Sequence, residues 1–536
     1  MRQVAEPVAA FVLTAIAIVA VWALLGRPVP MPETPLAPGE KLECVSYAPY
    51  RGAETPIDLS TRIEPWRIEE DLKNLSAITG CVRTYSVHQG LDQVAPIARK
   101  FGMKVLQGLW LGRDPEFNRA QIERAVAIAN AYPDVVRAVV VGNEVLLRGE
   151  LSARTLTETI REVKRRVPVP VTYADVWEFW LKNPELLTAV DFVTIHILPY
   201  WEDLPIAADL AADHVASIRR QVALSFPGKD IMIGEVGWPS EGRMREGALP
   251  SPSNQAKVIQ EIIARSKAEK FSLNVIEAFD QPWKRQFEGT VGGHWGLLDA
   301  QTREPKFVWG QPVSDHPRWK PLAAAGVALA AVVFGAAFLA RAQAVGGMSS
   351  TGFWLLVALD ALAGGGLLGL TLEQAAVESF GAAGVVRSAA LIAIAVLAPT
   401  LGAAALGRGL PLPDMARTFG APAEQPRGVA RALGLVFAVV VVAAIQTALG
   451  LTFDARYRDF PSAALTAATV PFAILAVTRH AAGVRPLAET LAAAVLAAGA
   501  AYIVFHETFA NWQALWLAAA LLLLAVILFR ARAAQS

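Results

Sequence analysis

The 536-residue sequence predicts an α/β fold, a (β/α)8 TIM barrel, followed by an α-helical transmembrane domain. Three observations lead there. Charge is unevenly divided: from Pro321 onward there are 12 Arg, no Lys and 9 Asp+Glu in 216 residues, against 76 charges in the first 320. Between Cys44 and Gln286, eight short apolar runs alternate with helix-patterned stretches. Beyond Pro321, seven apolar runs of spanning length follow one another with short loops between them. The near balance of 49 Lys+Arg and 48 Asp+Glu excludes a strongly basic nucleic-acid binder, and 54% hydrophobic residues excludes a wholly water-soluble chain.

Taken in chain order, residues 7–26 carry no charge and are about long enough to cross a ~30 Å hydrocarbon core. The run ends in WALLGRPVPMP, with no small-x-small cleavage site, so 1–27 is expected to be an uncleaved anchor. The Pro-rich stretch 28–43 then reads as a stiff, extended linker to a barrel domain over 44–315. Its candidate strands are 45–50, 81–86, 104–112, 138–144, 169–175, 191–200, 231–238 and 274–280, rich in β-branched residues and short enough to be buried parallel strands. In 254–268, Val258, Ile259, Ile262 and Ile263 share one helix face, with Ser253 as the expected N-cap. A doubly wound sheet is the competing fold, but no Gly-rich phosphate loop follows the first strand. Cys44 and Cys81 begin adjacent strands about 4.8 Å apart, which leaves open both a disulfide and two buried thiols.

The back of the chain, 321–532, is expected to be a seven-helix transmembrane domain with runs near 321–340, 353–372, 388–407, 432–451, 462–478, 487–505 and 513–529. With a cytoplasmic N-terminus, Arg341, Arg408, Arg417, Arg427, Arg431, Arg479, Arg485, Arg530 and Arg532 fall inside, and Arg387, Arg456 and Arg458 outside. That is the bias of the positive-inside rule, and it puts the barrel on the extracytoplasmic side. Asp360 lies within one run, where an ionisable group is costly; it is either the partner of a polar group or a functional site.

Polar residues gather at the strand ends. The fourth run closes with Gly142-Asn143-Glu144, and the seventh carries Glu235 ahead of Gly237-Trp238-Pro239-Ser240. Strands four and seven lie on opposite sides of an eight-strand ring, so two carboxyls are expected to face across the mouth, as glycoside hydrolysis requires. Tyr47, Tyr85, Tyr200, Trp238 and Trp283 sit at or just past predicted strand ends, suited to stacking on sugar rings. Arg83, Glu277 and Lys284 add charge near the same ends, and burial obliges such groups to be paired or to line the cleft.

These residues resemble glycoside hydrolase family 17, the β-1,3-glucanases and related glucanosyltransferases, here in a bacterial membrane-bound form. VVVGNEVLLRGE (139–150) is similar to the family's acid/base segment, and IMIGEVGWPSEG (231–242) to its nucleophile segment. IEAFDQPWK (276–284) and GGHWGLLD (292–299) are similar to its eighth-strand and closing segments. The resemblance implies a retaining barrel enzyme with Glu144 as general acid/base, Glu235 as nucleophile and Asn143 on the sugar 2-hydroxyl. Tyr47, Arg83, Tyr85, Tyr200, Trp238, Glu277, Trp283 and Lys284 are expected to contact substrate. Gln281 stands where fungal members carry Glu, and Leu198 where plant members carry Tyr. Glu144 must hold a proton near neutral pH, so burial and the Glu235 charge are expected to raise its pKa.

No zinc spacing, P-loop or dinucleotide fingerprint occurs among the motifs, so no cofactor or metal is expected. His196 and His294 read more readily as hydrogen-bonded structural residues than as cleft residues. The expected activity is cleavage or transfer of β-1,3-glucan outside the inner (cytoplasmic) membrane, in contact with the bilayer and with glucan-synthesis machinery as a candidate partner. The alternative is a non-catalytic glucan-binding or export subunit of a polysaccharide assembly system.

Overall fold

The computed structural model describes residues 2–341, 349–423, 425–478 and 486–529, with side chains from Ala5. By packing, the chain divides into two units: Val29–Val313, and Met1–Pro28 together with Ser314–Ser536.

In the first unit, eight parallel strands close into a barrel in sequence order. They are β1 (Val45–Ser46), β2 (Cys81–Arg83), β3 (Lys104–Leu109), β4 (Val136–Asn143), β5 (Val171–Val176), β6 (Val193–His196), β7 (Ile231–Val236) and β8 (Leu273–Val275). Val45 pairs with both Val82 and Val275, which closes the ring. Each predicted run holds one strand, but most strands stop early. The later residues of the runs, such as 47–50 and 84–86, leave the ladder and build the loops above it.

Strand periodicity sorts the side chains into layers. Val139, Val141, Ile195 and Ile233 join the core between barrel and helices. Their inward neighbours Ala138, Val140, Leu106, Ala174 and Met232 form a small apolar floor with Cys44 and Cys81, which are joined by a disulfide. Above that floor the inward positions turn polar: Ser46, Arg83, Thr172, Thr194, His196 and Asn274 are all buried. A polar layer over an apolar plug is what lets the top of the barrel carry chemistry without opening its core.

The outer helices start where the sequence supplies acceptors. Asp114 caps Pro115–Ala131, Ser152 caps Ala153–Arg166, and the hydroxyl of Ser251 accepts from Asn254 N at 3.1 Å to cap Pro252–Glu269. The expected cap, Ser253, lies inside the first turn, because Pro252 takes the N1 position and moves the start back by two residues. The Pro-rich stretch runs along this unit: Leu36 packs against its core, and Lys267 Nζ reaches Glu40 Oε2 at 2.5 Å.

The second unit is helical. Among the described residues, seven of its helices are long and apolar enough to cross a membrane: Ala5–Leu25 within the first helix, Trp319–Arg341, Ser350–Glu378, Gly381–Gly407, Val429–Phe453, Leu487–Glu507 and Trp512–Phe529. The expected span at 462–478 forms a helix, Ser462–Thr478, but its 17 residues rise only about 26 Å, at the lower limit for a crossing. Arg479, Arg485, Arg530 and Arg532 lie outside the described residues.

Candidate active site

Glu144 follows the last residue of β4 and Glu235 lies within β7, so both carboxyls stand at the C-terminal end of the barrel. A carboxylate oxygen of each and a ring nitrogen of His196 all lie within 4.8 Å of one another. The chain reaches Glu144 through two residues with positive φ, Gly142 at 88° and Glu144 itself at 51°. A Cβ at position 142 would come within 2.7 Å of Val145 Cγ2, so that turn requires glycine. Glu144 is held in this uncommon conformation by its own amide, which donates to Ala174 O at 2.8 Å.

Arg83, on β2, organises the floor of the site with its side chain 1% exposed. Its Nη1 donates to Gly234 O at 2.7 Å and to Glu235 Oε1 at 3.2 Å, and its Nη2 to Asn143 Oδ1 at 2.6 Å. Both guanidinium nitrogens approach His196 Nε2 at 3.3 Å. Position 234 must be small: a Cβ there would sit 2.4 Å from Thr194 Cγ2 and 3.4 Å from Arg83 Nη1. One buried cation therefore fixes the residue before the acid/base candidate and stabilises the charge of the nucleophile candidate.

His196 is the residue that the sequence reading placed among structural histidines. It ends β6 beside Glu235, and its Nδ1 lies 2.8 Å from Glu144 Oε1 while Nε2 lies 3.6 Å from Glu235 Oε1. It bridges the two carboxyls. Its position as the last residue of the sixth strand was the available signal. The expectation of a raised Glu144 is also corrected. Burial pushes the carboxyl up, but the hydrogen bond to His196 and the field of His196, Arg83 and Arg148 outweigh it and leave Glu144 below its ordinary value. Arg148, also overlooked, donates to Asn143 O at 2.9 Å and lies over the Trp110 ring at 4.1 Å.

The remaining candidates divide. Tyr85 is half-buried above Arg83, with its hydroxyl 2.7 Å from Ser46 Oγ; burial and the Glu235 charge hold that hydroxyl neutral far above its usual range. Glu277 is pushed up to about 7 by burial and is bonded to Lys284 Nζ at 2.8 Å. The charges of Glu277, Glu288 and Glu235 in turn raise Lys284 against the effect of its burial. Trp283 is half-buried, its Nε1 donating to Gln281 Oε1 at 2.9 Å. Three expected contacts are not available to substrate. Tyr47 is 1% exposed and spends its hydroxyl on Asp71 at 3.0 Å. Tyr200 and Trp238 are both 0% exposed, edge to face with each other, bonded to Arg243 O and Leu249 O. They pack the loops that shape the mouth and leave no face open to a sugar. His294 is half-buried, and burial with the charges of Lys306 and Arg285 holds it neutral, down to about 3.

Among the described residues, Glu144, His196 and Glu235 are the one group whose donors converge in the manner of metal ligands. The donor set does not fit a cation, because the Arg83 guanidinium already stands against Glu235 and His196 and supplies the positive charge.

Residues 44–296 match the family described as BtgE/BtgC glycoside hydrolase domain. The chain is 29% identical over 259 residues to a glucan 1,3-beta-glucosidase of Arthroderma benhamiae, covering 45% of this chain and 82% of that protein. It is 26% identical over 254 residues to the glucan 1,3-beta-glucosidase of Saccharomyces cerevisiae, covering 43% and 81%. The barrel is thus similar over its length to a glycoside hydrolase domain and to glucan 1,3-beta-glucosidases. Among solved structures, a family 17 β-1,3-glucanosyltransferase of Rhizomucor miehei aligns with 27% identity and a TM-score of 0.44, over 50% of this chain and 97% of that one. In this glycoside hydrolase domain the convergent carboxyls, with the arginine beneath them, form the candidate catalytic centre.

Proposed function

We propose that this family 17-like domain is a retaining enzyme of β-1,3-glucan, with Glu235 as nucleophile and Glu144 as general acid/base. The observation that carries the reading is that one oxygen of each carboxylate lies within 4.8 Å of the other. Retaining pairs stand about 5–5.5 Å apart, whereas inverting pairs need roughly 6.5–9.5 Å to admit water between them. Glu235 attacks the anomeric carbon while the leaving oxygen takes a proton from Glu144. Glu144 then removes a proton from the acceptor, which displaces Glu235. Water as acceptor gives hydrolysis, and a sugar hydroxyl gives transfer.

Arg83 sets its positive charge against the attacking Glu235, and His196 orients Glu144 through their 2.8 Å contact. Asn143, fixed by Arg83, is placed beside the nucleophile to meet the sugar 2-hydroxyl. Tyr85, Trp283 and Lys284 meet sugar faces and hydroxyls, with Lys284 held in place by the buried Glu277. The helical unit anchors the enzyme in the cytoplasmic membrane with the N-terminus inside and the barrel outside, following the distribution of arginines. There it acts on extracytoplasmic glucan, alongside the machinery that makes it.

The test is the product profile of the full chain on laminari-oligosaccharides, with the anomer of the first product read by NMR. A β anomer first is expected, and an α anomer first refutes retention. Products longer than the substrate establish transfer, and shorter ones alone establish hydrolysis. Glu144→Gln is expected to lower the rate by about 10²–10⁴-fold on glucan and far less on an aryl glucoside, whose leaving group needs no acid.

A further inference from the structure

Asp360 has no part in the glycosidase and no evident structural employment. It lies in the helix Ser350–Glu378, is 3% exposed, and its Oδ1 has no hydrogen-bond partner. Ten residues of helix separate it from Ser350, which at 1.5 Å per residue is about 15 Å, half the thickness of a ~30 Å hydrocarbon core. Four helices pack against its own: Arg2–Leu25, Trp319–Arg341, Gly381–Gly407 and Ser462–Thr478. Their described charged side chains are Glu6, Lys320, Arg341 and Arg387, all within the first or last two turns, and Ser462–Thr478 has none.

Those end groups are engaged where they stand. Arg341 and Glu6 meet at Ser350, Arg387 pairs with Glu378 at 2.9 Å, and Lys320 lies over the Trp319 ring. On the Asp360 helix itself, Glu373 is bound to His316 at 2.7 Å. No countercharge therefore faces Asp360 from any neighbouring helix among the described residues. An isolated carboxylate in such surroundings is costly, and a lone oxygen pair cannot satisfy a metal ion, which takes several oxygen ligands. A proton is the ligand that a single buried carboxyl can bind.

Around this helix the backbones approach closely. A Cβ at Gly365 would come within 2.5 Å of Gly326 O, one at Gly364 within 2.8 Å of Pro399 Cγ, and one at Gly402 within 2.4 Å of Pro471 Cβ. Pro399 and Pro471 lie inside their helices and leave the carbonyls of Ala395 and Ala467 without intrahelical donors. Close glycine contacts and interrupted helices thus surround the helix that carries the unpaired acid.

We propose that Asp360 is a proton-binding site that exchanges with water, making the helical unit a proton-responsive element as well as an anchor. The proton comes from and returns to water, with no other reactant. The proposal rests on the membrane-spanning reading and is independent of the glucanase reading. Its test is infrared spectroscopy of the full chain in phosphatidylcholine vesicles, compared with Asp360→Asn. A protonated-carboxyl band lost in the variant is expected, shifting in D2O and fading reversibly as pH rises. A band that neither exchanges nor titrates marks a sealed structural acid and overturns the proposal, as do identical spectra. Should Asp360→Asn fail to reach the membrane, Asp360→Glu keeps the acid and must displace the band; an undisplaced band overturns it. Cleavage of laminari-oligosaccharides by the same samples keeps the two readings separate.

Discussion

At the scale of single residues, His196 decides how Glu144 works. Glu144 sits below its ordinary value because His196, Arg83 and Arg148 together outweigh its burial. Removing His196 withdraws the strongest of the lowering contacts and leaves the burial, so the Glu144 pKa rises. The acid form then survives to higher pH. His196→Ala is accordingly expected to move the alkaline limb of kcat/KM upward while lowering its maximum, and a limb that stays or moves down contradicts the bridging role. The placement of Glu144 and Glu235 at the barrel mouth was legible in the sequence because each stands in an apolar run within a longer motif. His196 was not, since a lone histidine at the end of a strand reads the same facing in or out, and only its register beside Glu235 distinguishes the two. The aromatics misled for a related reason: Tyr200 and Trp238 stand at the right strand ends, but a tyrosine or tryptophan that stacks on sugar has the same composition signature as one that packs a loop.

At the scale of elements, the strands were legible in number and order but not in length. Tyr47–Tyr50 and Leu198–Tyr200 continue the apolar pattern after the ladder has ended, because loops over a barrel mouth are themselves packed on aromatic residues. Helix starts depend on finer chemistry. Ser251 caps Pro252–Glu269 by accepting from Asn254 N, and Pro252 makes that start unambiguous once the backbone is seen. Ser251→Ala is expected to cost about 1 kcal/mol of barrel stability, read as a lowered Tm. Ser253→Ala, inside the first turn, is expected to cost less than Ser251→Ala; the reverse order would return the cap to the position that periodicity alone suggests.

At the scale of the whole molecule, the division of charge along the chain foretold two units, and the apolar runs foretold helices. Span number was less legible, because the described part of one helix, Ser462–Thr478, is apolar throughout and 17 residues long, at the lower limit for a crossing. The full chain is expected to stay with the membrane pellet after alkaline carbonate washing and to be released by detergent; release by carbonate would reduce the helices to a peripheral bundle. The way the chain passes between its units has a consequence of its own. Ser314 Oγ bonds Gly26 O at 3.0 Å, so the helical unit holds together the two points between which the barrel is threaded. Val29 and Val313 pair likewise at the barrel's own two ends. The glycosidase is thus a cassette between two abutting splice points, and another domain with neighbouring termini could be grafted there, or the gap sealed by a few residues, with the flanking helices left in register.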